Sequence, residues 1–333
     1  MAISKIGGIS LNSISKIGGI NKVNISKFMG VILQDTNLQV LAYWDYPDSW
    51  WYPPLYLYYG TDGNLWASYG SSSNATIVKL NPLNLQQLAT IVIDTGGLNW
   101  GWSNKTNNSV YLFSGSPSWN ACRINLSNFS WQKFNGSLNT PNGCKLVGNQ
   151  LWIGTWYTIY VFDPNTLSLL FTVNVGATEG FVSDENYVYA SSTNRDAIYK
   201  INFSGNIVAT LSGQFSSGVQ ECNPLIKNGF IYARDNNSNL LKIDASNMSI
   251  VNSWYIQNIY GMTTVGNYLY ITTNRGSNSC ILKYDISNNQ FNFISQKNYG
   301  FNLYTIRTDG NYFYIVCDKD SNGNKRIIKT PVF

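Results

Sequence analysis

A repeat of about 40 residues, built from short strands, occurs seven times along this 333-residue chain and restricts the fold more than any other feature. In each copy a strand closes on an aromatic residue after a turn rich in Gly and Asn, and a second strand follows. The closing aromatics are Trp66, Tyr111, Trp152, Tyr189, Tyr232, Tyr270 and Tyr314. The centres of the strands that follow the closing aromatics are Lys79, Arg123, Val161, Lys200, Lys242, Lys283 and Lys329, so six of the seven copies carry a basic residue there. Each of these strands is the third strand of its unit. Alternating apolar and polar positions between turn residues predict repeated units of four antiparallel strands.

The two ends of the chain complete one of these units together. The seventh copy lacks a fourth strand, because Phe333 follows directly after its third strand. Residues 37–42 read NLQVLA, and the predicted outer strand of the first copy, residues 84–89, reads NLQQLA. We therefore expect Asn37 to Asp45 to pair as the outer strand of the seventh unit, which closes a ring and covers an exposed strand edge. Residues 31–33 also look like a strand and compete with residues 327–329 for the third position in that unit.

The repeat resembles the seven-bladed β-propeller superfamily, in the style of YVTN, NHL and quinoprotein-like repeats, over residues 37–333. The resemblance implies an all-β, seven-bladed β-propeller closed by an N-terminal strand, with the propeller at residues 31–333 and an extension at residues 1–30. The GH and WD dipeptides of the WD40 family do not recur. The resemblance is therefore to an architecture, and the function has to be argued from a site.

Composition excludes several classes of function. The chain contains no His, which removes the commonest general base and the commonest transition-metal ligand. Its net charge of +5 is spread over the repeats, so we expect no nucleic-acid partner. No apolar run reaches the length of a membrane span. The five cysteines stand apart without a metal-binding spacing, which favours buried free thiols over a cluster or disulfides. We expect no enzyme activity and no cofactor, calcium being the one exception considered below.

A different repeat precedes the propeller. The sequence ISKIGGI occupies residues 3–9 and again 14–20, and ISKFMGV occupies residues 25–31, so each copy starts 11 residues after the last. Gly and β-branched Ile in these copies oppose a helix and favour short extended segments broken by Gly turns. About 30 such residues are too few for a core of their own, so we expect them to order against a partner or their own copies in an oligomer.

This repeat resembles the ISKINGV-type tandem repeats of predicted structural and tail-associated proteins of phages and archaeal viruses, with Gly-Gly where Asn-Gly is common. The resemblance implies a virion protein on the particle surface, a homo-oligomer, and contacts with other virion proteins through residues 1–30. The alternative is a flexible tail that contributes only solubility.

Aromatic residues concentrate in the predicted loops of blades one to three. The loops that join strand two to strand three, and the outer strand to the next blade, share one face of a propeller. The residues assigned to this face are Trp50, Trp51, Tyr52, Tyr69, Trp100, Trp102, Trp119, Trp156 and Tyr157. Such rings suit stacking on sugars or anchoring a protein interface, so we expect a binding face for a host glycan or a neighbouring virion subunit. The alternative for any single residue is packing between blades.

Two acidic groups suggest other chemistry. Asp318, Asp320 and Asn322 match D-x-D-x-N-G, the first half of a calcium loop, but Lys329 stands where the loop requires Glu. An ordinary Asn-Gly hairpin turn explains the same sequence.

Glu179 and Glu221 lie at nearly equivalent places in blades four and five, where a carboxylate pair could perform glycosidase chemistry. No other residue marks a catalytic centre. The sequence thus favours a non-enzymatic virion tail or surface protein over a cellular adhesin-like propeller and, least, a carbohydrate-active enzyme.

Overall fold

The computed structural model shows an all-β β-propeller built from four-stranded antiparallel sheets. No helix that could cross a membrane occurs in the part of the chain that it describes. The described residues are 5–6, 9–10, 16–17, 20–21, 40–46, 56–60, 62–70, 75–93, 98–104, 109–114, 121–134, 138, 143–176, 178–192, 197–213, 215, 224–274, 278–287, 291–317 and 325–333.

Six sheets each take four strands that are consecutive in the chain, and in each the first strand is at one edge and the fourth at the other. Sheet 1 contains β6 (Tyr56–Tyr59), β7 (Leu65–Gly70), β8 (Ala75–Leu80) and β9 (Gln87–Ile93). Sheet 2 contains β10 (Leu98–Asn104), β11 (Ser109–Ser114), β12 (Ala121–Asn125) and β13 (Trp131–Lys133). Sheet 3 contains β14 (Gly143–Val147), β15 (Gln150–Gly154), β16 (Ile159–Phe162) and β17 (Leu169–Val173).

The next three sheets repeat this order. Sheet 4 contains β18 (Thr178–Ser183), β19 (Tyr187–Ser192), β20 (Ala197–Asn202) and β21 (Ile207–Ser212). Sheet 5 contains β22 (Leu225–Lys227), β23 (Phe230–Arg234), β24 (Asn239–Asp244) and β25 (Ser249–Tyr255). Sheet 6 contains β26 (Ile259–Val265), β27 (Tyr268–Thr273), β28 (Cys280–Asp285) and β29 (Asn292–Asn298).

A further four-stranded sheet, the composite sheet, combines distant parts of the chain. It contains β30 (Leu303–Thr308), β31 (Tyr312–Cys317), β32 (Arg326–Pro331) and, as its outer strand, β5 (Ala42–Asp45). Strand β5 pairs antiparallel with β32, with Tyr43 opposite Ile328. The outer strand expected from the sequence was longer, from Asn37 to Asp45, and its first three residues lie outside the described part.

Two short hairpins precede β5 in the chain. Strand β1 (Lys5–Ile6) pairs with β2 (Ile9–Ser10), and β3 (Lys16–Ile17) pairs with β4 (Ile20–Asn21). These two-residue strands fall in the first two ISKIGGI copies and agree with the short extended segments predicted there. Residues 22–39 are not described, so the boundary expected near residue 30 stays a prediction.

Hydrophobic clusters lie between successive sheets and hold them together. Trp66 of sheet 1 packs with Cys122 of sheet 2, for example, and Trp152 of sheet 3 packs with Val188 of sheet 4. The composite sheet packs on both sides: its Tyr314 clusters with residues of sheet 1, and its other face clusters with residues of sheet 6. The cysteines Cys122, Cys144, Cys280 and Cys317 are buried and unpaired, as predicted, and Cys222 lies outside the described residues.

The turns between third and fourth strands share one construction in sheets 1 to 6. The side-chain Oδ1 of the first turn residue accepts a hydrogen bond from the main-chain N–H two residues later, as Asn81 does from Leu83 at 2.9 Å. The other first turn residues are Asn125, Asp163, Asn202, Asp244 and Asp285. Short polar side chains suit this role because they imitate a main-chain turn.

The repeated basic residue stands directly opposite the closing aromatic on the neighbouring strand. The opposed pairs are Trp66 and Lys79, Tyr111 and Arg123, Tyr189 and Lys200, Tyr232 and Lys242, Tyr270 and Lys283, and Tyr314 and Lys329. Side chains directly opposite on one face of a sheet are near neighbours. In three of these pairs the cation lies near the opposed ring: Nζ is 5.3 Å from the ring centre for Lys79 and Trp66, 5.9 Å for Lys200 and Tyr189, and 5.7 Å for Lys283 and Tyr270.

Several of these basic residues form an inter-sheet latch, in which the cation donates to main-chain carbonyl groups in the third-to-fourth-strand turn of the next sheet. Lys200 Nζ donates to the carbonyl oxygens of Ala245 at 2.8 Å and Ser246 at 3.0 Å. Arg123 donates likewise to Pro164 and Asn165, and Lys329 to Leu83. Lys283 donates to the main-chain oxygen of Phe333, which follows β32 of the composite sheet and is not part of such a turn. Four of the basic residues of the repeat therefore join neighbouring sheets.

Val161 breaks the basic pattern, and a different residue connects its sheet to the next. Val161 lies opposite Trp152, whose indole Nε1 donates to Oε1 of Gln150 at 3.2 Å. The amide Nε2 of Gln150 then donates to the carbonyl oxygen of Phe203, in the corresponding turn of sheet 4, at 3.0 Å. The neutral side-chain amide of Gln150, on β15, thus makes the contact with the next sheet that a basic side chain makes elsewhere.

Candidate binding face

The loop between β15 and β16 presents two aromatic side chains to solvent. Trp156 is 44% exposed and Tyr157 is 59% exposed. Thr155 closes the loop, because its main-chain N–H and its hydroxyl both donate to the carbonyl oxygen of Thr158, at 3.0 and 2.8 Å. The same hydroxyl oxygen accepts from the main-chain N–H of Thr158 at 3.2 Å. These bonds brace the main chain of the four-residue turn that carries the two rings.

Sheet 4 supports this loop from the side. The N–H of Gly176 donates to the carbonyl oxygen of Tyr157 at 3.2 Å, and the N–H of Thr178 donates to that of Thr155 at 3.0 Å. Gly154 permits this approach, since a Cβ there would lie 2.4 Å from the carbonyl oxygen of Thr178. The aromatic loop is therefore fixed to the neighbouring sheet, and binding to it would cost little ordering of the main chain.

The same contact recurs elsewhere and defines one face of the propeller. In sheet 5 the N–H of Ile256, in the connection to the next sheet, donates to the carbonyl oxygen of Ser238 in the loop after the second strand. In sheet 6 Tyr299 donates to Ser279 in the same way. The prediction that these two kinds of loop share a face is confirmed for sheets 3, 5 and 6. The latch turns lie at the opposite ends of the third strands.

The face is aromatic in sheet 3 and polar in sheet 5, as the sequence predicted. The loop of sheet 5 is closed by Asp235, whose Oδ1 accepts from the N–H groups of Asn237 at 2.9 Å and Asn239 at 2.7 Å. Its carboxylate is therefore occupied within the turn. In sheet 3 the loop is closed by Thr155 instead, and the side chains of Trp156 and Tyr157 are exposed.

Three of the residues assigned to loops lie within strands. Tyr69 belongs to β7, where it pairs with Thr76, and Trp100 and Trp102 belong to β10, where they pair with Phe113 and Tyr111. The sequence interpretation placed them in loops because of nearby glycines, but aromatic residues favour a strand and the ladder continues through them. Trp50, Trp51, Tyr52 and Trp119 lie outside the described residues.

The remaining tryptophans divide between core and surface. Trp66 and Trp152 are fully buried between sheets, so part of the tryptophan concentration in the first half of the chain is core. Trp131, which the sequence interpretation did not single out, is 46% exposed on the outer strand β13. The adjacent residues in sequence, Ser130 and Gln132, form no pattern that would have predicted the exposure of Trp131.

The predicted acidic sites do not gain support from the described residues. Glu179 lies in β18 at an irregular position between Thr178 and Gly180, where the ladder with β19 shifts register. Glu221, Asp318, Asp320 and Asn322 lie outside the described part of the chain. Within that part, no group of three His, Cys, Asp or Glu side chains could hold a metal ion.

Comparison with known proteins identifies the fold. No protein-family model matches the sequence, and no curated protein matches it. Among solved structures, the chain is similar to BamB from Moraxella catarrhalis, with a TM-score of 0.58 and 13% identity, covering 80% of this chain and 82% of that one. It is also similar to the WD40 domain from Toxoplasma gondii coronin, with a TM-score of 0.66 and 10% identity, covering 89% and 88%. Similarity at such low identity establishes a β-propeller and carries no function.

Proposed function

We propose that this protein is a non-enzymatic recognition scaffold, a virion structural, tail or surface protein whose propeller displays a binding face. The observation that carries the proposal is the braced loop with Trp156 and Tyr157 exposed side by side. Exposed aromatic rings on a rigid support offer contact area at little entropic cost. The ligand is a host-surface glycan or a neighbouring virion subunit.

The assignment to a virion is supported by the ISKIGGI repeats. Their first two copies contain the hairpins β1–β2 and β3–β4, and an isolated two-stranded hairpin of this size is marginal in water. Such units gain stability from a partner, which fits contacts with other virion proteins and homo-oligomerisation through residues 1–30. A cellular adhesin-like propeller and a carbohydrate-active enzyme remain the alternatives. Finding the chain in purified virus particles by mass spectrometry would favour the virion, and its absence there would contradict it.

The proposal includes a closed ring of seven blades, with the composite sheet as the seventh. Two observations support closure: β5 pairs with β32, and the composite sheet packs against both sheet 1 and sheet 6. The rings of Tyr59 and Tyr314 lie 6.2 Å apart across one of these junctions, and those of Tyr270 and Phe313 lie 4.8 Å apart across the other. A closed ring gives the binding face a rigid frame.

Two further parts of the proposal concern absent partners. We propose no nucleic-acid partner, because Arg123, Lys200, Lys283 and Lys329 direct their charges to main-chain oxygen atoms of the protein. Phosphate binding needs such cations at the surface instead. We also propose that no cofactor is required.

The binding face is tested by replacing both Trp156 and Tyr157 with Ala in the full chain. Loss of two stacking rings should weaken binding to immobilised host-surface oligosaccharides, or to host cells, by about tenfold or more. Trp131→Ala is the matched control, since Trp131 is 46% exposed against 44% for Trp156 but lies on an outer strand. Unchanged binding in the double variant, or an equal loss in the control, would contradict this binding face.

A further inference from the structure

The exposed apolar surface of this protein is concentrated on its perimeter. All but four of the exposed large hydrophobic residues in the described part lie on the fourth strands, or directly beside one in the case of Leu41. The four exceptions are Leu83, Trp156, Tyr157 and Tyr268. Exposed apolar residues that are gathered on one part of a protein mark an interaction site more often than single scattered residues do.

β-Bulges produce this pattern. In sheets 1, 3, 4, 5 and 6 the ladder between third and fourth strands shifts register near the start of the fourth strand. The residues inserted by the shift are Leu88, Leu170, Val208, Val251 and Ile294. In sheets 3 to 6 the preceding residue is also apolar, and both members of each pair are 42% to 54% exposed. A bulge redirects a side chain, so each of these sheets presents an apolar pair outward.

The perimeter strands also lack the usual protection of an edge. No other described strand pairs with the outer side of β9, β17, β21 or β25. These four strands contain no charged residue and no Pro, two of the devices by which natural edge strands are guarded. The bulge interrupts pairing at one end only, so a short run beyond it, such as Asn252–Tyr255, retains a regular edge.

The N-terminal arm, residues 1–39, is continuous in sequence with a strand of this same perimeter. It joins β5, which is the outer strand of the composite sheet. The arm carries hairpins of two-residue strands rich in Ile, and such hairpins are too small to be stable alone. The short regular edges of the outer strands match these short strands in length, and the exposed pairs match their apolar character.

We propose that the arm of one copy docks on the perimeter of a second copy, adding its hairpin strands to the edges of outer strands and covering the apolar pairs beside them. This inference rests on the proposed oligomerisation through residues 1–30 and names the surface that receives it. A second copy is the occupant because the edges that combine an apolar pair with no charged residue, β17, β21 and β25, belong to sheets 3, 4 and 5. The composite sheet, to which the arm is joined, clusters instead with sheets 1 and 6, so the arm of another copy can approach those three edges directly.

The test uses full-length protein in two variant sets. The perimeter set replaces Leu88, Leu170, Val208, Val251 and Ile294 with Thr, which keeps a strand-forming residue at exposed positions. The arm set replaces Ile6 and Ile17 with Asp. Light scattering across a concentration series should show self-association of the unchanged chain, with a dissociation constant raised at least tenfold in either set. Leu83→Thr is the control, because Leu83 is 77% exposed in a turn outside the outer strands and should have no effect.

A mixing experiment identifies the contact. Each set alone should fail to associate, but arm-set chains carrying one tag should capture perimeter-set chains carrying another, since intact arms then meet intact perimeters. No capture in the mixture, association unchanged in the perimeter set, or a monomer at every concentration would each overturn the proposal. Near-ultraviolet circular dichroism of every variant confirms the native fold. Glycan binding by Trp156 and Tyr157 is measured separately, so the proposed function can hold when this inference fails.

Discussion

The inter-sheet latch at Lys200 should contribute measurably to stability, and Lys200→Met tests this. The side chain is 8% exposed and donates to two carbonyl oxygens of sheet 5, and its Nζ lies 4.3 Å from the centre of the Tyr187 ring. Hydrogen bonds from charged groups contribute about 1.5 to 3 kcal/mol. A cation beside an aromatic ring adds about 0.5 to 1 kcal/mol. Met keeps the apolar stem and relieves the burial of charge, so we expect the free energy of unfolding to fall by about 2 kcal/mol.

Two other lysines serve as comparisons in the same urea-unfolding assay. Lys79 forms an ion pair with Asp62 at 2.9 Å, both side chains being 20% exposed, so Lys79→Met should cost about 1 kcal/mol or less. Salt should weaken that contribution, but not the contribution of Lys200, whose acceptors are uncharged carbonyl groups. Lys227→Met, at a half-buried position of β22, should change stability by less than about 0.5 kcal/mol. If Lys200→Met costs no more than Lys227→Met, or loses its effect in high salt as Lys79→Met does, the latch is not what joins these sheets.

The remaining predictions concern pH and the N-terminal strand. Hydrogen bonds from Thr166 and Asn165 hold the pKa of Asp163 below its ordinary 3.8, and those from Ser246 and Ser287 do the same for Asp244 and Asp285. Because the folded-state pKa is depressed, this stability is present above pH 3.8 and is lost as the pH falls below it. Changing all three to Asn, as sheets 1, 2 and 4 already have, should flatten stability below about pH 4 in acid titration, and an unchanged slope would contradict the assignment. Deleting residues 1–45 removes β5 and its Arg326–Asp45 contact of 2.9 Å and should abolish soluble folding. Deleting residues 1–28 should leave a folded chain by circular dichroism, and equal behaviour of the two deletions would refute this role of β5.

The sequence by itself determined the repeated strands, their order and their turns. A strand pattern is local: alternation, β-branched and aromatic residues, and Asn or Asp at the turns act within a few positions of one another. For the same reason the exposed loop at Trp156 was found correctly. The opposition of Tyr189 and Lys200 follows from two strands joined by one short connection. Local interactions of this kind can be predicted without knowledge of the rest of the chain.

Only the tertiary structure decided what the repeated residues contact. Lys200 meets Ala245 across 45 positions of sequence, and nothing near Lys200 in the chain specifies a carbonyl group of another sheet. The sequence placed Trp100 and Trp102 in a loop because of the glycines around them. That assignment was wrong, because both residues pair with β11 and belong to β10. Leu170 and Val251 look like ordinary strand residues, and the bulge that turns them outward depends on pairing with the neighbouring strand. Burial and pairing depend on residues far apart in the chain, so the tertiary structure determined which aromatic and apolar side chains remained available for recognition.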